Sequence, residues 1–206
     1  MIAIIDYDAG NTFNVQKAFN YIGIETVLTA DPAVLLRADG VVLPGVGAYA
    51  SAMATLKERN LMDTIYAVVD RTIPLLGICL GMQLLFDESE EYGPTAGLGL
   101  IPGVVKAIPN DGNLRVPHMG WNQNRVHNDK SVFRDIHEEY TYFVHSYYVD
   151  TDQQFITTTA DYGISIPGIV EKEFVYGMQF HPEKSGVVGL NLLRTFGDIV
   201  KSVKIT

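Results

Sequence analysis

Short runs of consecutive apolar residues alternate with segments of helical periodicity along the first half of the chain. The runs fall at residues 2–6, 24–29, 41–43 and 75–78. A strand that is buried on both faces has such an uninterrupted apolar sequence, and amphipathic segments between the strands can cover both faces of a sheet. The alternation therefore predicts an α/β fold in which these strands lie parallel to one another.

Capping and turn residues indicate where the intervening helices begin and end. Asn11 is the predicted N-cap of a helix that Gly23 ends, and Asp31-Pro32 is an N-cap followed by proline in the first turn. Apolar residues at helical spacing predict further helices between residues 53 and 69 and over residues 81–86. These helices would connect the strands of a parallel sheet, which cannot be joined by tight hairpins.

The second half of the chain has a different pattern. Predicted strands at residues 104–108, 140–149, 155–160 and 169–180 are joined by short turns, which indicates an antiparallel portion. A last helix over residues 189–203 has one apolar face that can pack on the sheet. The predicted architecture has three layers, with helices on both faces of a mixed, mostly parallel sheet.

Composition narrows the classes of function. No repeat, low-complexity tract or linker is present, so residues 1–206 are expected to form one domain. With 15 Lys and Arg against 24 Asp and Glu, the net charge of −9 argues against nucleic acid or an anionic membrane as partner. The apolar stretches are far shorter than the roughly 20 residues that span a bilayer. A single cysteine and an N-terminus without a basic leader predict a cytoplasmic protein.

The segment Gly77-Ile78-Cys79-Leu80-Gly81 lies where a predicted strand passes into a predicted helix. A nucleophile on such a sharp turn leaves no room for side chains two residues away on either side, which accounts for the two glycines. The unpaired N–H groups and the positive dipole end of a helix N-terminus favour a thiolate. The pattern predicts that Cys79 is a catalytic nucleophile, and the alternative is a buried structural cysteine.

A thiol nucleophile requires a general base, and the base requires a group that orients it. His181 follows a predicted strand, and Glu183 points to the same side of an extended chain. We predict that Glu183 holds one ring nitrogen of His181 while the other nitrogen faces Cys79. A surface His-Pro turn is the alternative. His145 is the competing base, although no carboxylate lies near it in the sequence.

Two glycines follow the third predicted strand, in the segment Pro44-Gly45-Val46-Gly47. At the carboxyl end of a parallel strand, glycine lets backbone N–H groups approach a ligand, so the segment is either the wall of a crevice or an ordinary turn. The chain has neither a dinucleotide fingerprint nor a phosphate-binding P-loop, and no histidine or cysteine cluster has metal-ligand spacing. We expect no cofactor and no metal.

Three segments together resemble the class I glutamine amidotransferases. They are Pro44-Gly45-Val46-Gly47, Gly77-Ile78-Cys79-Leu80-Gly81-Met82-Gln83 and Gln179-Phe180-His181-Pro182-Glu183-Lys184-Ser185. The segments at residues 5–7, 10–11, 15–19, 116–122 and 143–148 resemble the members that are glutaminase subunits, which feed ammonia to a (β/α)8-barrel cyclase in histidine biosynthesis. The similarity extends from about residue 4 to residue 196. A glutaminase of pyridoxal phosphate synthesis has a similar size, but its loop usually reads Gly-Gly-Glu-Ser.

The resemblance implies roles for the matching residues. Cys79 would attack the side-chain amide of glutamine, His181 would relay the proton to the leaving ammonia, and Glu183 would orient His181. The implied oxyanion hole is the backbone at Val46, Gly47 and Leu80. The implied glutamine-binding residues are Gly47, Gln83, His145, Ser146 and Tyr147. The implied residues of a partner interface or gate are Asn11, Asn14, Met119, Trp121 and Lys184.

The chain departs from the family pattern at Asp8, in a segment that commonly reads Asp-Tyr-Gly, at Tyr49, where phenylalanine is usual, and over residues 161–168. Two other functions stay open. A free-standing cysteine hydrolase would have no reason to keep the segment around Trp121. A binding module without catalysis, which only regulates a synthase, would have no reason to keep Cys79, His181 and Glu183 together.

Overall fold

The computed structural model describes residues 1–110, 112 and 114–204. The strands are β1 (Ile2–Ile5), β2 (Thr26–Thr29), β3 (Gly40–Gly45), β4 (Leu75–Cys79), β5 (Glu88–Ser89), β6 (Thr95–Ala96), β7 (Val104–Ala107), β8 (His118–Val126), β9 (Tyr140–His145), β10 (Tyr147–Asp150), β11 (Ile156–Asp161), β12 (Ser165–Lys172) and β13 (Val175–Met178). The helices are α1 (Thr12–Tyr21), α2 (Pro32–Leu35), α3 (Tyr49–Glu58), α4 (Leu61–Asp70), α5 (Leu80–Gln83) and α6 (Gly186–Lys204).

Nine of the strands form one mixed sheet in the order β2-β1-β3-β4-β13-β12-β11-β8-β9. The five strands from β2 to β13 in that order are parallel, and the pairings from β13 to β9 are antiparallel. A second sheet has the order β10-β7-β5-β6. The predicted α/β fold with a mixed sheet is therefore confirmed, and its parallel part comes mainly from the first half of the chain.

The central strands are buried on both faces, which is why their sequences are continuously apolar. Ile5 and Leu43 belong to a core cluster that includes apolar residues of α2, α3 and α4. Ile4 and Val42, their neighbours along the strands, belong to a second cluster with residues of α1 and α6. Alternate residues of one strand thus pack against helices on opposite sides of the sheet, which gives the predicted three layers.

Several predicted boundaries were wrong for local reasons. The helix predicted at 81–86 is one turn, Leu80–Gln83, and the predicted strand at 140–149 is divided by Ser146 between the two sheets. The predicted strand at 169–180 is a hairpin of β12 and β13, with Glu173 in the left-handed region at φ 55°. Strand β8 was not predicted, because its sequence is mostly polar and lacks a regular alternation. Asp31 accepts a capping bond from Ala33 N–H, as predicted.

The other predicted cap behaves differently. Asn11 occupies the N-cap position of α1, but its side chain makes no capping hydrogen bond. Among the described residues, no helix has the length and apolar character needed to cross a bilayer.

Candidate active site

Cys79 is the last residue of β4, and α5 begins at the next residue. Its backbone is strained, with φ 55° and ψ −113°, a conformation that L residues rarely adopt. A Cβ atom at Gly77 would lie 2.6 Å from the carbonyl oxygen of Gly81, and a Cβ atom at Gly81 would overlap the carbonyl oxygen of Leu43. The two glycines are therefore required for the tight turn that carries the thiol.

His181 and Glu183 form a buried pair after the end of β13. His181 Nδ1 lies 2.8 Å from Glu183 Oε1, and the side chains are only 3% and 1% exposed. Because the carboxylate can only accept, Nδ1–H donates and Nε2 remains available toward the thiol. An extended chain is predicted here from the sequence, but Pro182–Lys184 forms a single 3-10 turn. The pair forms across this turn.

Burial and neighbouring side chains have opposite effects on the pKa of His181. Burial disfavours the charged ring, but the side chains of Cys79 and Glu183 outweigh it and raise the pKa of His181 to about 9. His181 is therefore suited to carry a proton beside the sulfur at neutral pH. The second oxygen of Glu183, Oε2, is buried and has no hydrogen-bond partner among the residues that the structure describes.

A cleft of about 500 Å³ opens over Cys79 and His181. Ten of the residues predicted for the site line it: Val46, Gly47, Cys79, Leu80, Gln83, His145, Ser146, Tyr147, His181 and Lys184. Glu91, Tyr92 and Val144 also line it, and the sequence argument assigned no role to them. The sequence contains no motif for Glu91, which reaches the cleft from the loop after β5. Its carboxylate accepts a hydrogen bond from Tyr49 N–H at 2.5 Å.

Amide side chains connect the wall of the cleft to the sulfur. Gln83 Nε2 donates to the Tyr147 carbonyl at 2.9 Å and to Gln179 Oε1 at 3.0 Å. Gln179 Nε2 in turn lies 3.9 Å from Cys79 Sγ. Gln179 is fully buried in the motif that carries His181, and the sequence argument did not assign it a role.

His145 lines the same cleft but differs from His181 in its partners. Its Nδ1 lies 2.8 Å from the Tyr147 carbonyl oxygen, and its Nε2 lies 3.0 Å from His118 Nδ1. Burial lowers the pKa of His145 to about 3, even though the bond to the Tyr147 carbonyl acts in the other direction. His145 is thus neutral at neutral pH, which removes it as a competitor of His181 for the role of a base that becomes charged.

The loop Pro44-Gly45-Val46-Gly47 lies beside the nucleophile. Gly45 is in register with Cys79 in the parallel ladder, so Val46 and Gly47 extend beyond the same edge of the sheet as Leu80. The buried hydroxyl of Tyr7 donates to the Pro44 carbonyl at 2.8 Å and fixes the base of the loop. Gly47 has φ 95°, and no atom occupies the space where a Cβ atom would lie. Backbone N–H groups can therefore approach a ligand over Cys79.

The predicted interface residues lie on the surface near the cleft. Met119 and Trp121 are 62% and 56% exposed. The Trp121 ring approaches Gly186, two residues after the exposed Lys184. Helix α1, which carries Asn14 and follows Asn11, contacts the turn Pro182–Lys184. The turn Pro182–Lys184 therefore contacts α1 and lies close to Trp121.

Two departures from the family pattern have a local explanation. Asp8 adopts φ 64° and forms an ion pair with Arg59, so aspartate occupies a left-handed conformation that usually favours glycine. The hydroxyl of Tyr49 is buried, with no hydrogen-bond partner in the described part of the chain. Gly97 leaves the room for it, because a Cβ atom there would lie against the oxygen. Among the described residues, no group of three or more His, Cys, Asp or Glu is arranged to hold a metal ion.

The model of the class I glutamine amidotransferase family matches residues 3–197, so the chain belongs to this family. It is 54% identical over 202 residues to the imidazole glycerol phosphate synthase subunit HisH of Lactiplantibacillus plantarum, covering 98% of this chain and 97% of the relative. It is 46% identical over 204 residues to the subunit of the same name from Listeria monocytogenes, covering 99% of this chain and 98% of the relative.

Solved structures give the same fold at lower identity. A glutamine amidotransferase superposes with a TM-score of 0.78 at 17% identity, covering 98% of this chain and 100% of the other. A chain of PurLQS from Thermotoga maritima superposes with a TM-score of 0.74 at 18% identity, covering 97% and 98%. These likenesses show the fold alone.

Proposed function

We propose that the chain is the glutaminase subunit of imidazole glycerol phosphate synthase. It hydrolyses glutamine to glutamate and ammonia and delivers the ammonia to a cyclase subunit in histidine biosynthesis. The observation that carries the proposal is the buried His181–Glu183 pair beside a nucleophile elbow at Cys79, in a chain about half identical to HisH subunits over its whole length. A free catalytic thiol fits the reducing cytoplasm, which we propose as its location.

The reaction starts at the sulfur. The Cys79 thiolate attacks the side-chain carbonyl carbon of glutamine, and the tetrahedral oxyanion receives hydrogen bonds from backbone N–H groups of Leu80 and the Val46-Gly47 loop. Such a donor typically lowers the barrier by about 3 kcal/mol. The C–N bond breaks as the His181 imidazolium gives its proton to the leaving ammonia, which leaves a thioester on Cys79.

The same residues complete the turnover. A water molecule gives its proton to His181, now neutral, and its oxygen attacks the thioester carbon. The carbon–sulfur bond breaks, and the thiolate–imidazolium pair is restored. The new γ-carboxyl group loses its remaining proton to water, and glutamate leaves. Glu183 keeps His181 in one tautomer and stabilises its charged form throughout, as its 2.8 Å bond to Nδ1 allows.

The lining of the cleft suits free glutamine. We assign glutamine binding to Gly47, Gln83, His145, Ser146 and Tyr147. Glu91 adds a carboxylate that can pair with the α-ammonium group of the substrate. Because a peptide-bound glutamine lacks that charge, Glu91 favours the free amino acid.

Surface residues beside the cleft form the docking surface for the partner. We propose that Asn11, Asn14, Met119, Trp121 and Lys184 contact a cyclase subunit with a (β/α)8-barrel fold. Ammonia released into water would be mostly protonated and no longer nucleophilic, so the exit of the glutaminase site must open directly into the partner. An exposed apolar pair such as Met119 and Trp121 on a mostly polar strand is typical of an interface core.

The test measures glutamate release by the chain alone, with the cyclase, and with the cyclase and its nucleotide ligand. We expect a low rate for the free chain and a sharp increase only with both additions. A high rate that is indifferent to the partner would instead identify a free-standing hydrolase, and no glutamate under any condition would identify a binding module.

The variant Cys79→Ala separates the two half-reactions. It is expected to abolish glutamine-dependent turnover of the complex and to leave ammonia-dependent turnover intact, because the cyclase then receives ammonia from solution. Glutamine-dependent turnover that survives this change would refute the assignment of the nucleophile.

A further inference from the structure

His118 is a buried histidine that none of the roles above uses. It is 2% exposed, begins β8 and lies directly opposite His145 of β9 in the antiparallel register. Its ring stacks between Phe143, with centroids 4.8 Å apart, and Tyr162, with centroids 4.0 Å apart. The neighbouring Met119 and Trp121 are exposed on one side of the strand, and His118 lies on the other side, which faces the interior of the protein.

The directions of the hydrogen bonds along this pair are determined by the acceptor at one end. A carbonyl oxygen can only accept, so His145 must donate to the Tyr147 carbonyl through Nδ1–H. The other nitrogen of a neutral His145, Nε2, then accepts, and His118 must donate to it through Nδ1–H across 3.0 Å. His118 Nε2 is left as an acceptor.

The opposite end of the chain of bonds gives the same direction. Asn122 Nδ2 lies 3.2 Å from His118 Nε2 and 2.8 Å from the Asp161 carbonyl oxygen. Its Oδ1 accepts from the Gln123 N–H at 2.8 Å, which confirms that the amide nitrogen faces His118. The amide therefore donates one hydrogen to the Asp161 carbonyl and the other to His118.

Electrostatics and packing agree with a neutral pair. Burial lowers the pKa of His118 to about 4 and that of His145 to about 3, so each ring has one donor and one acceptor nitrogen at neutral pH. The Tyr162 hydroxyl donates to the Arg115 carbonyl at 2.7 Å and holds its own ring against His118. Asp161 and Tyr162 begin the segment 161–168, for which the family resemblance gave no role.

We infer that His118 is a positioning residue of the glutamine site, which holds His145 in the tautomer that binds the Tyr147 carbonyl, and that the segment beginning at Asp161 orients His118. The part that concerns glutamine rests on the proposed function. The Tyr147 carbonyl also accepts from Gln83 Nε2, so the His118 donor supports a wall of the cleft to which two predicted substrate residues are attached.

Loss of the donor has a defined consequence. Without the His118 donor, Nε2 of His145 is a buried acceptor that has lost its hydrogen bond. The Nδ1–H form then loses part of its advantage over the Nε2–H form, in which the Nδ1 lone pair faces the lone pairs of the Tyr147 carbonyl oxygen. That arrangement is repulsive and displaces the Tyr147 backbone. Because Cys79, His181 and Glu183 are held by other bonds, we expect weaker glutamine binding with little change in the chemical step.

Two substitutions at one position distinguish the donor from the packing of the ring. His118→Phe keeps an aromatic ring between Phe143 and Tyr162 but has no hydrogen to donate. His118→Asn loses the ring, yet its side-chain nitrogen can lie near the position of Nδ1 and donate to His145. His127→Phe is the matched control, because His127 follows the same strand but bonds Thr159 outside this chain of hydrogen bonds.

The experiment has two readouts. NMR of isotope-labelled histidine in the folded protein reports which nitrogen of His145 carries hydrogen, and steady-state kinetics of the complex with the cyclase gives KM and kcat for glutamine. We expect wild type, His118→Asn and His127→Phe to keep the Nδ1–H form of His145. His118→Phe should populate that form less, with KM raised about tenfold and kcat within about twofold.

Other results would overturn the inference. His118→Phe with an unchanged His145 tautomer and unchanged KM would show that the donor is dispensable. A normal His118→Phe beside an impaired His118→Asn would show that only the ring matters. If His118→Phe does not fold, Asn122→Ala removes a bond from the same series of hydrogen bonds and should also raise KM, by a smaller factor. An unchanged KM for Asn122→Ala would refute the inference. The NMR result stands whether or not the chain is a glutaminase, so its failure is distinct from failure of the proposed function.

Discussion

Two histidines face the same cleft from the ends of two strands, and they have opposite protonation behaviour. His181 is paired with the Glu183 carboxylate and the Cys79 thiol, and its pKa is raised to about 9. His145 donates to the Tyr147 carbonyl, and its pKa is lowered to about 3. Each is largely buried, and burial alone lowers the pKa of an imidazole. The partners of each ring therefore decide which histidine can carry a proton and which one has a fixed hydrogen-bonding direction.

The difference between the two histidines accounts for the separate roles that we propose for them, catalysis for His181 and binding for His145. A proton carrier must be stable in its charged form beside a nucleophile, which requires neighbouring negative charge. A histidine that only shapes the binding wall, such as His145, is better neutral, because a neutral ring does not compete with His181 for a Cys79 thiolate. The Glu183 carboxylate lies within hydrogen-bonding distance of His181, whereas the partners of His145 are the Tyr147 carbonyl oxygen and the uncharged ring of His118.

The largest effect is expected when each histidine is replaced by asparagine in turn. His181→Asn removes the group that we propose as the proton carrier and should lower kcat for glutamine by about 10³-fold. His145→Asn keeps a donor near the position of Nδ1 and should change kcat by less than about tenfold, with the main effect on KM. Rates with glutamine are measured on the complex with the cyclase, and ammonia-dependent turnover serves as the control. Equal losses in kcat for the two variants would contradict the assignment of different roles.

The next effect concerns the charge behind His181. Glu183→Gln keeps the size of the side chain but removes the negative charge, so the pKa of His181 should fall from about 9 and the charged ring should be less populated. We expect kcat for glutamine to fall by about 10²-fold. The pH dependence of kcat/KM and NMR titration of the labelled histidine measure the two changes. An unchanged His181 pKa would show that Glu183 only orients the ring.

A smaller effect appears in the stability of the folded chain. The His181 pKa is above its unfolded value of 6.5, so its stabilising contribution is full below pH 6.5 and is lost as pH rises toward about 9. The pKa of His145 is about 3, so its contribution is full above pH 6.5 and is lost as pH falls. His181→Asn should flatten the alkaline decline of the unfolding free energy, and His145→Asn should flatten the acid decline.

Urea unfolding at a series of pH values measures both declines on the same protein. If one substitution flattens both the acid and the alkaline decline of the unfolding free energy, the two histidines titrate as one coupled group, and their separate protonation behaviour is contradicted. A change in the acid decline alone for His181→Asn would contradict the raised pKa of His181.

The sequence was sufficient for features that depend on short-range rules. The glycines around Cys79 predicted a sharp turn, and the structure gives that residue the strained backbone that such a turn needs. The apolar runs predicted the parallel strands, because burial on both faces leaves no polar position. The pair of His181 and Glu183 was also predicted from proximity along the chain, although the structure forms it across a 3-10 turn and not along an extended strand.

The sequence was not sufficient for features that depend on the register of distant strands. His118 and His145 lie 27 positions apart and meet only because β8 and β9 pair in one register. The polar sequence of β8 gave no strand signal, so the pairing could not be predicted. Glu91 reaches the cleft from a loop without a motif. A residue whose role comes from tertiary contacts alone has no local pattern that would identify it.

The smallest effect is expected at Ser185, which supports the backbone of His181. Its buried hydroxyl donates to the His181 carbonyl at 2.6 Å and accepts from the Tyr142 N–H at 3.0 Å, so it joins the catalytic turn to β9. Ser185→Ala leaves the Tyr142 N–H without this acceptor and should lower the unfolding free energy by about 1 kcal/mol.

The kinetic result of Ser185→Ala shows how rigidly the proton carrier must be held. The His181 carbonyl still accepts from the Lys184 N–H, and the bond from His181 N–H to the Tyr142 carbonyl is unchanged. We therefore expect kcat for glutamine to fall by no more than about threefold, with KM unchanged, since loss of one of several supports costs less than about 1 kcal/mol in the transition state. Ser185→Thr, which keeps the hydroxyl, is the matched control. A loss near that of Glu183→Gln would mean that the backbone support of His181 matters as much as its charge partner, and the contrast with His145 would then rest on position as well as on charge.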